Sequence, residues 1–181
     1  MPEAGEVLTI GHSTHPVERF VSLMRRWRVG AVCDVRRYPG SRRHPQFNAD
    51  ALAAMLEHAG IGYEALGREL GGRRHPRRDS ANAGWRVAGF RGYADHMESA
   101  EFEAGLERLE ALARRRRAAI MCAEGDWRRC HRRLISDVLA ARGWRVLHIR
   151  PDGRLEDHEL TEFAVVSDGT VSYPGQGSLA V

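Results

Sequence analysis

Lysine is absent from the 181 residues, so all 28 strongly basic side chains are arginine. No Schiff-base amine and no phosphate-loop lysine can be built from this chain. Cysteine is scarce: Cys33, Cys122 and Cys130 are too few, and odd in number, for a disulfide framework, which agrees with a reducing compartment. No apolar run approaches the roughly 20 residues that a membrane span needs. The opening segment is acidic and polar, without a basic stretch leading into a long apolar run, so no secretory signal is expected and the expected location is cytoplasmic. Internal repeats and low-complexity domains are also missing, apart from the arginine run at 114–117, read as the end of a helix whose dipole favours cations.

What remains fits one globular core, with hydrophobic residues at 43%. The expected organisation is a single domain over residues 1–165 and a tail over 166–181, irregular or folded as a hairpin. The net charge of +4 and pI near 9.4 suit an anionic partner, a small molecule or a nucleic acid, because the guanidinium fork binds phosphate and carboxylate bidentately. The competing reading is a solvated arginine surface.

Short apolar runs alternate with segments of helical periodicity. Strands are expected at residues 6–11, 30–35, 61–66, 118–122 and 145–149. Helices are expected at 16–27, 49–59 with Asn48 as cap, 90–99, 101–114, from about 128 onward, and at 156–164. The fold class is α/β, a mainly parallel sheet flanked by helices in a Rossmann-like three-layer arrangement. Residues 67–89 are too long and too rich in glycine and arginine for an ordinary connector. In such sheets ligands lie beyond the carboxyl ends of the strands. Those positions hold His12 and Ser13, Asp34 and Arg36, Gly67 and Arg68, Cys122 and Glu124, and His148 and Arg150.

At these positions the chain resembles the family called domain of unknown function 488. The resemblance rests on Gly11-His12-Ser13, Asp34-Val35-Arg36, Pro39-Gly40-Ser41-Arg42, Tyr63 with Leu66-Gly67, Gly71-Gly72 and Phe90-Arg91-Gly92-Tyr93. Above all it rests on Cys122-Ala123-Glu124 followed by Cys130-His131-Arg132. It implies a compact α/β domain and no particular reaction.

The stretch 118–142 gathers the chemistry. Cys122 closes a strand ahead of a helix start, where the dipole and nearby arginines lower a thiol pKa, which would make it a nucleophile; the other reading is an inert core thiol. Cys130, expected in the first helical turn, supports or packs. Glu124 and His131 are candidate acid–base groups, against an exposed turn carboxylate and a packing histidine. Arg132 and Arg133 near a helix N-terminus call for a compensating anion. Asp34 and Arg36 form either a plain ion pair or, with Arg42, an anion clamp. His12 and Ser13 stand where free backbone amides can bind an anion, or His12 bonds the neighbouring strand end. His148 reads as a core-edge histidine.

Two patterns are set aside. The spacing from Cys122 to Arg128 is that of oxyanion-cradling thiol enzymes, but Glu124 and Asp126 would repel phosphate and the loop has one glycine. Cys122, Cys130 and His131 lack paired metal-ligand spacing. No metal and no cofactor are predicted. The expected activity is therefore that of an enzyme taking an anionic substrate, with Cys122, Glu124 and His131 reacting and His12, Ser13, Asp34, Arg36, Arg42, Cys130 and Arg132 binding. The alternatives are a nucleic-acid or nucleotide binding module, using Arg68, Arg73, Arg74, Arg77 and Arg78 with Trp85, Phe90 and Tyr93 as stacking rings, and a redox or metal sensor using Cys122 and Cys130.

Overall fold

The structure, a computed structural model, describes residues 5–176. Six strands form one sheet: β1 (Glu6–Gly11), β2 (Ala31–Asp34), β3 (Gly62–Ala65), β4 (Ala118–Cys122), β5 (Arg145–Ile149) and β6 (Leu155–Asp157), in the order β3-β2-β4-β1-β5-β6. The first five are parallel, and β6 runs antiparallel to β5 at the edge. Helices α1 (Val17–Arg26) and α2 (Ala49–His58) cover one face, while α5 (Ala100–Ala113) and α6 (Arg132–Ala141) cover the other. Two short helices bound the long 67–89 segment: α3 (Gly67–Leu70) opens it and α4 (Ala88–His96) begins at its last two residues.

The strand period of two divides the core. Leu8, Ile10, Ala119 and Met121 pack with Phe20, Leu23, Met24, Leu52 and Leu56 on the α1/α2 side. Val7, Ala118, Ile120 and Cys122 face Leu106, Leu109, Leu134 and Ile135 on the α5/α6 side. A buried sheet with apolar residues on both faces needs continuous hydrophobic strands, which is how β1 and β4 read. The three-layer α/β fold is therefore as expected.

Three local expectations are corrected, and the tail takes one of its two expected forms. Residues 156–164 are not helical, because residues 155–157 pair with β5 and the His158 amide donates to Val146 O. Asn48 makes no helix-capping bond, since its Oδ1 accepts instead from Ser41 N–H at 2.7 Å. The focal helix starts at Arg132, after a 3-10 turn at Trp127–Arg129, so Cys130 stands in extended backbone just ahead of it. The tail forms a hairpin of β7 (Val165–Ser167) and β8 (Thr170–Ser172); residues 177–181 of the expected tail lie outside the described residues.

Gly11 sets the spacing at the sheet's working end. It is in register with Cys122, and a Cβ there would fall 1.8 Å from Glu124 O. Only glycine lets the loop after β4 close over the end of β1.

Candidate active site at the end of β4

β4 delivers Cys122 to the edge of the core, and the next residues turn tightly. Glu124 Oε1 accepts from Asp126 N–H at 3.2 Å, and Asp126 caps the following turn by accepting from Arg128 N–H at 3.0 Å. This local bonding returns the chain so that Cys130 Sγ lies 3.3 Å from Cys122 Sγ. Cys130 Sγ also receives the Arg132 backbone N–H at 3.3 Å and Arg132 Nε–H at 3.2 Å.

Burial alone would push the Cys130 thiol up. The Cys122 S–H donor, the Arg132 guanidinium, His131 and the Arg132 amide outweigh burial and bring it down to about 5. Cys122 goes the other way: burial and the hydrogen bond it gives to Cys130 raise its pKa well above the ordinary thiol value. The expectation of a lowered Cys122 is thus reversed. The pair carries one proton near neutrality, and geometry assigns it to Cys122, because the cationic and amide donors converge on the other sulfur.

Arg132 is the largest fully buried side chain, 1% exposed. It also donates from Nη1 to Thr9 Oγ1 at 3.1 Å and from Nη2 to Glu124 O at 2.5 Å. Fully buried and absent from the lining of the cavity over the thiols, it does not reach a ligand, so the expected anion-clamp role is corrected to that of a counter-ion for the thiol pair. Behind it runs a directed chain: Thr9 O–H donates to His148 Nδ1 at 2.6 Å, and His148 Nε2–H donates to His158 Nδ1 at 2.9 Å. His158 Nε2–H then donates to Asp137 Oδ1 at 2.8 Å, and Tyr173 O–H reaches Asp137 Oδ2 at 2.7 Å. Burial holds His148 far below its ordinary pKa, so the ring is neutral, stacked on Trp127 at 4.0 Å.

At the end of β2, Asp34 and Arg36 form a buried bidentate pair, Nε to Oδ1 at 2.9 Å and Nη2 to Oδ2 at 2.8 Å. Tyr63 O–H adds to Asp34 at 2.7 Å, Phe47 O accepts from Arg36 Nη2 at 2.7 Å, and His12 Nε2 accepts from Arg36 Nη1 at 3.4 Å. His12 Nδ1–H donates to Ser13 O at 2.9 Å, and its ring stacks on Phe47. Burial lowers the His12 pKa to about 4, which keeps the ring neutral as an acceptor. Asp34 is saturated, and His12 is a strut for Arg36.

The expected anion site on the amides of His12 and Ser13 is filled by the protein itself. Those N–H groups bond Cys122 O at 2.9 Å and Ala123 O at 3.0 Å. Ser13, at φ 47°, makes the turn there. Arg42 is exposed and lies outside the cavity described next, so the structure does not bring it to the thiols.

A cavity of about 420 Å³ opens over the thiol pair, floored by Cys122 and Cys130 and walled by Arg36, Arg37, Tyr38, Arg73, Glu124, Arg129 and His131. His131 Nε2–H donates to Val35 O at 2.7 Å, which fixes the tautomer and leaves Nδ1 as the acceptor, beside Gly72. Burial lowers its pKa. Among the described residues the Arg129 guanidinium has no hydrogen-bond or ion-pair partner, since the pairs with Asp126 and Glu156 are made by its neighbour Arg128. Arg37, Tyr38 and Arg129 were not singled out from the sequence. The signal for Arg37 and Arg129 is adjacency to Arg36 and Cys130 on turns where consecutive side chains diverge, and Tyr38 follows one residue later. Asp137, His158 and Tyr173 carried no local signal at all.

Other expectations change as well. Trp85 and Tyr93 are buried and Phe90 is half-buried, so these rings cannot serve as a base-stacking platform. Arg68, Arg74 and Arg77 are paired with Glu101, Glu101 and Glu98. Arg128 lies over the Trp127 ring and pairs with Glu156, away from a cradle around Cys122. Arg133 donates to Thr161 Oγ1 at 2.9 Å and lies over the Trp85 ring. Among the described residues no group of three or more His, Cys, Asp or Glu side chains is placed to hold a metal ion, and no helix is long and apolar enough to cross a membrane.

No curated protein and no solved structure matches the chain. The family described as Domain of unknown function DUF488 matches residues 16–139, a span holding both cavity thiols, Arg36, His131 and Arg132. The chain belongs to this family.

Proposed function

We propose that the chain is a thiol-dependent enzyme acting on an anionic small molecule, with Cys130 as the nucleophilic thiolate. One observation carries this reading: Cys130 Sγ receives two N–H donors from Arg132 and faces a cavity walled by arginines. A thiolate held that way attacks an electrophilic centre without prior removal of a proton. Arg129, with Arg37 and Arg73, binds the charged group of the substrate through charge-assisted hydrogen bonds. His131, whose Nδ1 is an unprotonated acceptor, takes a proton from substrate or water, and Glu124 at the rim completes the acid–base pair. A cytoplasmic setting suits this chemistry, because thiols stay reduced there.

The test is to treat the full chain at neutral pH with a limiting amount of iodoacetamide and to identify the modified peptide by mass spectrometry. The expected product is alkylated at Cys130, with inorganic phosphate slowing the reaction by occupying the cavity. Modification of Cys122 or Cys33 ahead of Cys130 would overturn the assignment, and so would an unmodified protein.

A further inference from the structure

Toward Cys130 as nucleophile, Cys122 acts as an S–H donor, a role a hydroxyl would fill as well as a thiol. An acyl or phosphoryl adduct on Cys130 would be released by water and would have no use for a second thiol, yet Cys122 Sγ is 3.3 Å from Cys130 Sγ and both sulfurs open on the same cavity. Cys122 comes from the end of β4 and Cys130 from the foot of α6, so two separate elements have been brought to one point. Cys33 differs, being fully buried and away from the cavity lining.

From this juxtaposition, and resting on Cys130 as nucleophile, we infer that the substrate is a low-molecular-weight disulfide bearing carboxylate or phosphate groups, which the Cys122–Cys130 pair reduces by thiol–disulfide exchange. Such exchange proceeds through a mixed disulfide, so it requires an attacking thiolate and a second thiol within reach. In the first step Cys130 S⁻ attacks one substrate sulfur, forming the Cys130–substrate S–S bond as the substrate's own S–S bond breaks. One half departs as a thiolate. In the second step Cys122 gives its proton to that departed thiolate and attacks Cys130 Sγ. The mixed disulfide breaks, and the second half leaves as a thiolate. The protein has then lost two electrons and one proton to the substrate, ending as a Cys122–Cys130 disulfide beside one thiol and one thiolate. A second low-molecular-weight thiol restores the pair by the reverse sequence.

The cavity wall supplies the selectivity. Its cations are Arg36, Arg37, Arg73 and Arg129, of which Arg129 has no partner among the described residues, and Glu124 is its carboxylate. Arg36 is neutralised by Asp34, so a cationic disulfide would meet repulsion from Arg37, Arg73 and Arg129.

The experiment mixes the reduced full chain with oxidised glutathione, an anionic disulfide, or with cystamine, a cationic one, then quenches with acid and weighs the protein. The expected wild-type product has lost two hydrogen atoms, with Cys122 joined to Cys130, and it forms about tenfold faster with oxidised glutathione than with cystamine. The Cys122→Ser variant is expected to stop at one glutathione half on Cys130, and Cys130→Ser to release no thiol. A lasting glutathione adduct on wild-type Cys130 would overturn the dithiol step while leaving the nucleophile standing. Equal rates with the two probes would overturn the substrate class. A wild-type chain that reacts with neither disulfide, yet is alkylated at Cys130 by iodoacetamide, would overturn this inference alone; a chain inert to all three reagents would overturn the nucleophile too. The wild-type result decides even where a serine variant fails to fold.

Discussion

Arg132 reaches Cys130 twice, from its backbone N–H at 3.3 Å and from Nε–H at 3.2 Å, while 1% of its own surface meets solvent. A buried guanidinium is costly to desolvate and persists only where an anion and hydrogen bonds compensate it. The thiolate of Cys130 is that anion, and Thr9 Oγ1 and Glu124 O accept one N–H each from Nη1 and Nη2.

Replacing Arg132 by Gln is therefore expected to raise the midpoint of Cys130 alkylation by at least about one pH unit and to cost about 3 kcal/mol of stability. Urea unfolding and alkylation rates measure the two effects separately. A folded R132Q chain with an unmoved alkylation midpoint would remove Arg132 from the account.

Gly11→Ala couples the fold to the same sulfur. The added methyl would meet Glu124 O at 1.8 Å, so the loop must move, and that oxygen is the acceptor of Arg132 Nη2. The expected outcome is a loss of about 2 kcal/mol from overpacking together with an upward shift of the Cys130 midpoint. An unchanged melting temperature would show that the close approach is not as described.

Much of this arrangement is legible in the chain, for identifiable reasons. The apolar runs at β1, β4 and β5 fix the buried parallel strands, and the strand-end rule leads directly to Cys122 and Asp34. Which thiol ionises is not legible, because it depends on the rotamer of Arg132, a residue that local pattern marks only as a cation near a helix start. The same holds for His12 and Ser13, whose amides look free in sequence but are consumed by Cys122 O and Ala123 O on the adjacent strand's loop. The 156–164 segment has helical spacing, yet the edge of β5 and the Asp137 carboxylate, which accepts from Thr161 N–H at 3.0 Å, draw it into an extended path. Non-local partners override local preference there.

Stability is expected to fall as the pH drops below the ordinary histidine range. His12, His131 and His148 are each lowered in the folded chain, chiefly by burial, His12 from 6.5 to about 4. In the unfolded chain these rings bind protons near pH 6.5, while the folded chain keeps them neutral, so the unfolded state takes up more protons and gains with acidity. Their contribution is fully present above the unfolded value and is lost downward from it, at up to about 1.4 kcal/mol per pH unit for a ring that stays neutral when folded. Thermal melts of wild type and His12→Gln between about pH 5 and 6.5 check this, with a shallower slope expected in the variant. Parallel slopes would contradict the buried neutral ring.

Arg129→Ala tests the cavity as an anion site. Arg129 lines the wall without an ion-pair partner among the described residues, so removing it should leave folding within about 0.5 kcal/mol of wild type. Protection of Cys130 from alkylation by inorganic phosphate should weaken about tenfold, as expected for one charge-assisted hydrogen bond of about 1.5 kcal/mol. Equal protection in both proteins would place the phosphate elsewhere.

The most direct measurement is the alkylation rate of each cysteine as a function of pH, read peptide by peptide on the native chain. Cys130 is expected to react with a midpoint near 5, and Cys122 to stay unreactive until well above the ordinary thiol value. A Cys130 midpoint at the free-thiol value of about 8.5, or a Cys122 that reacts first, would contradict it.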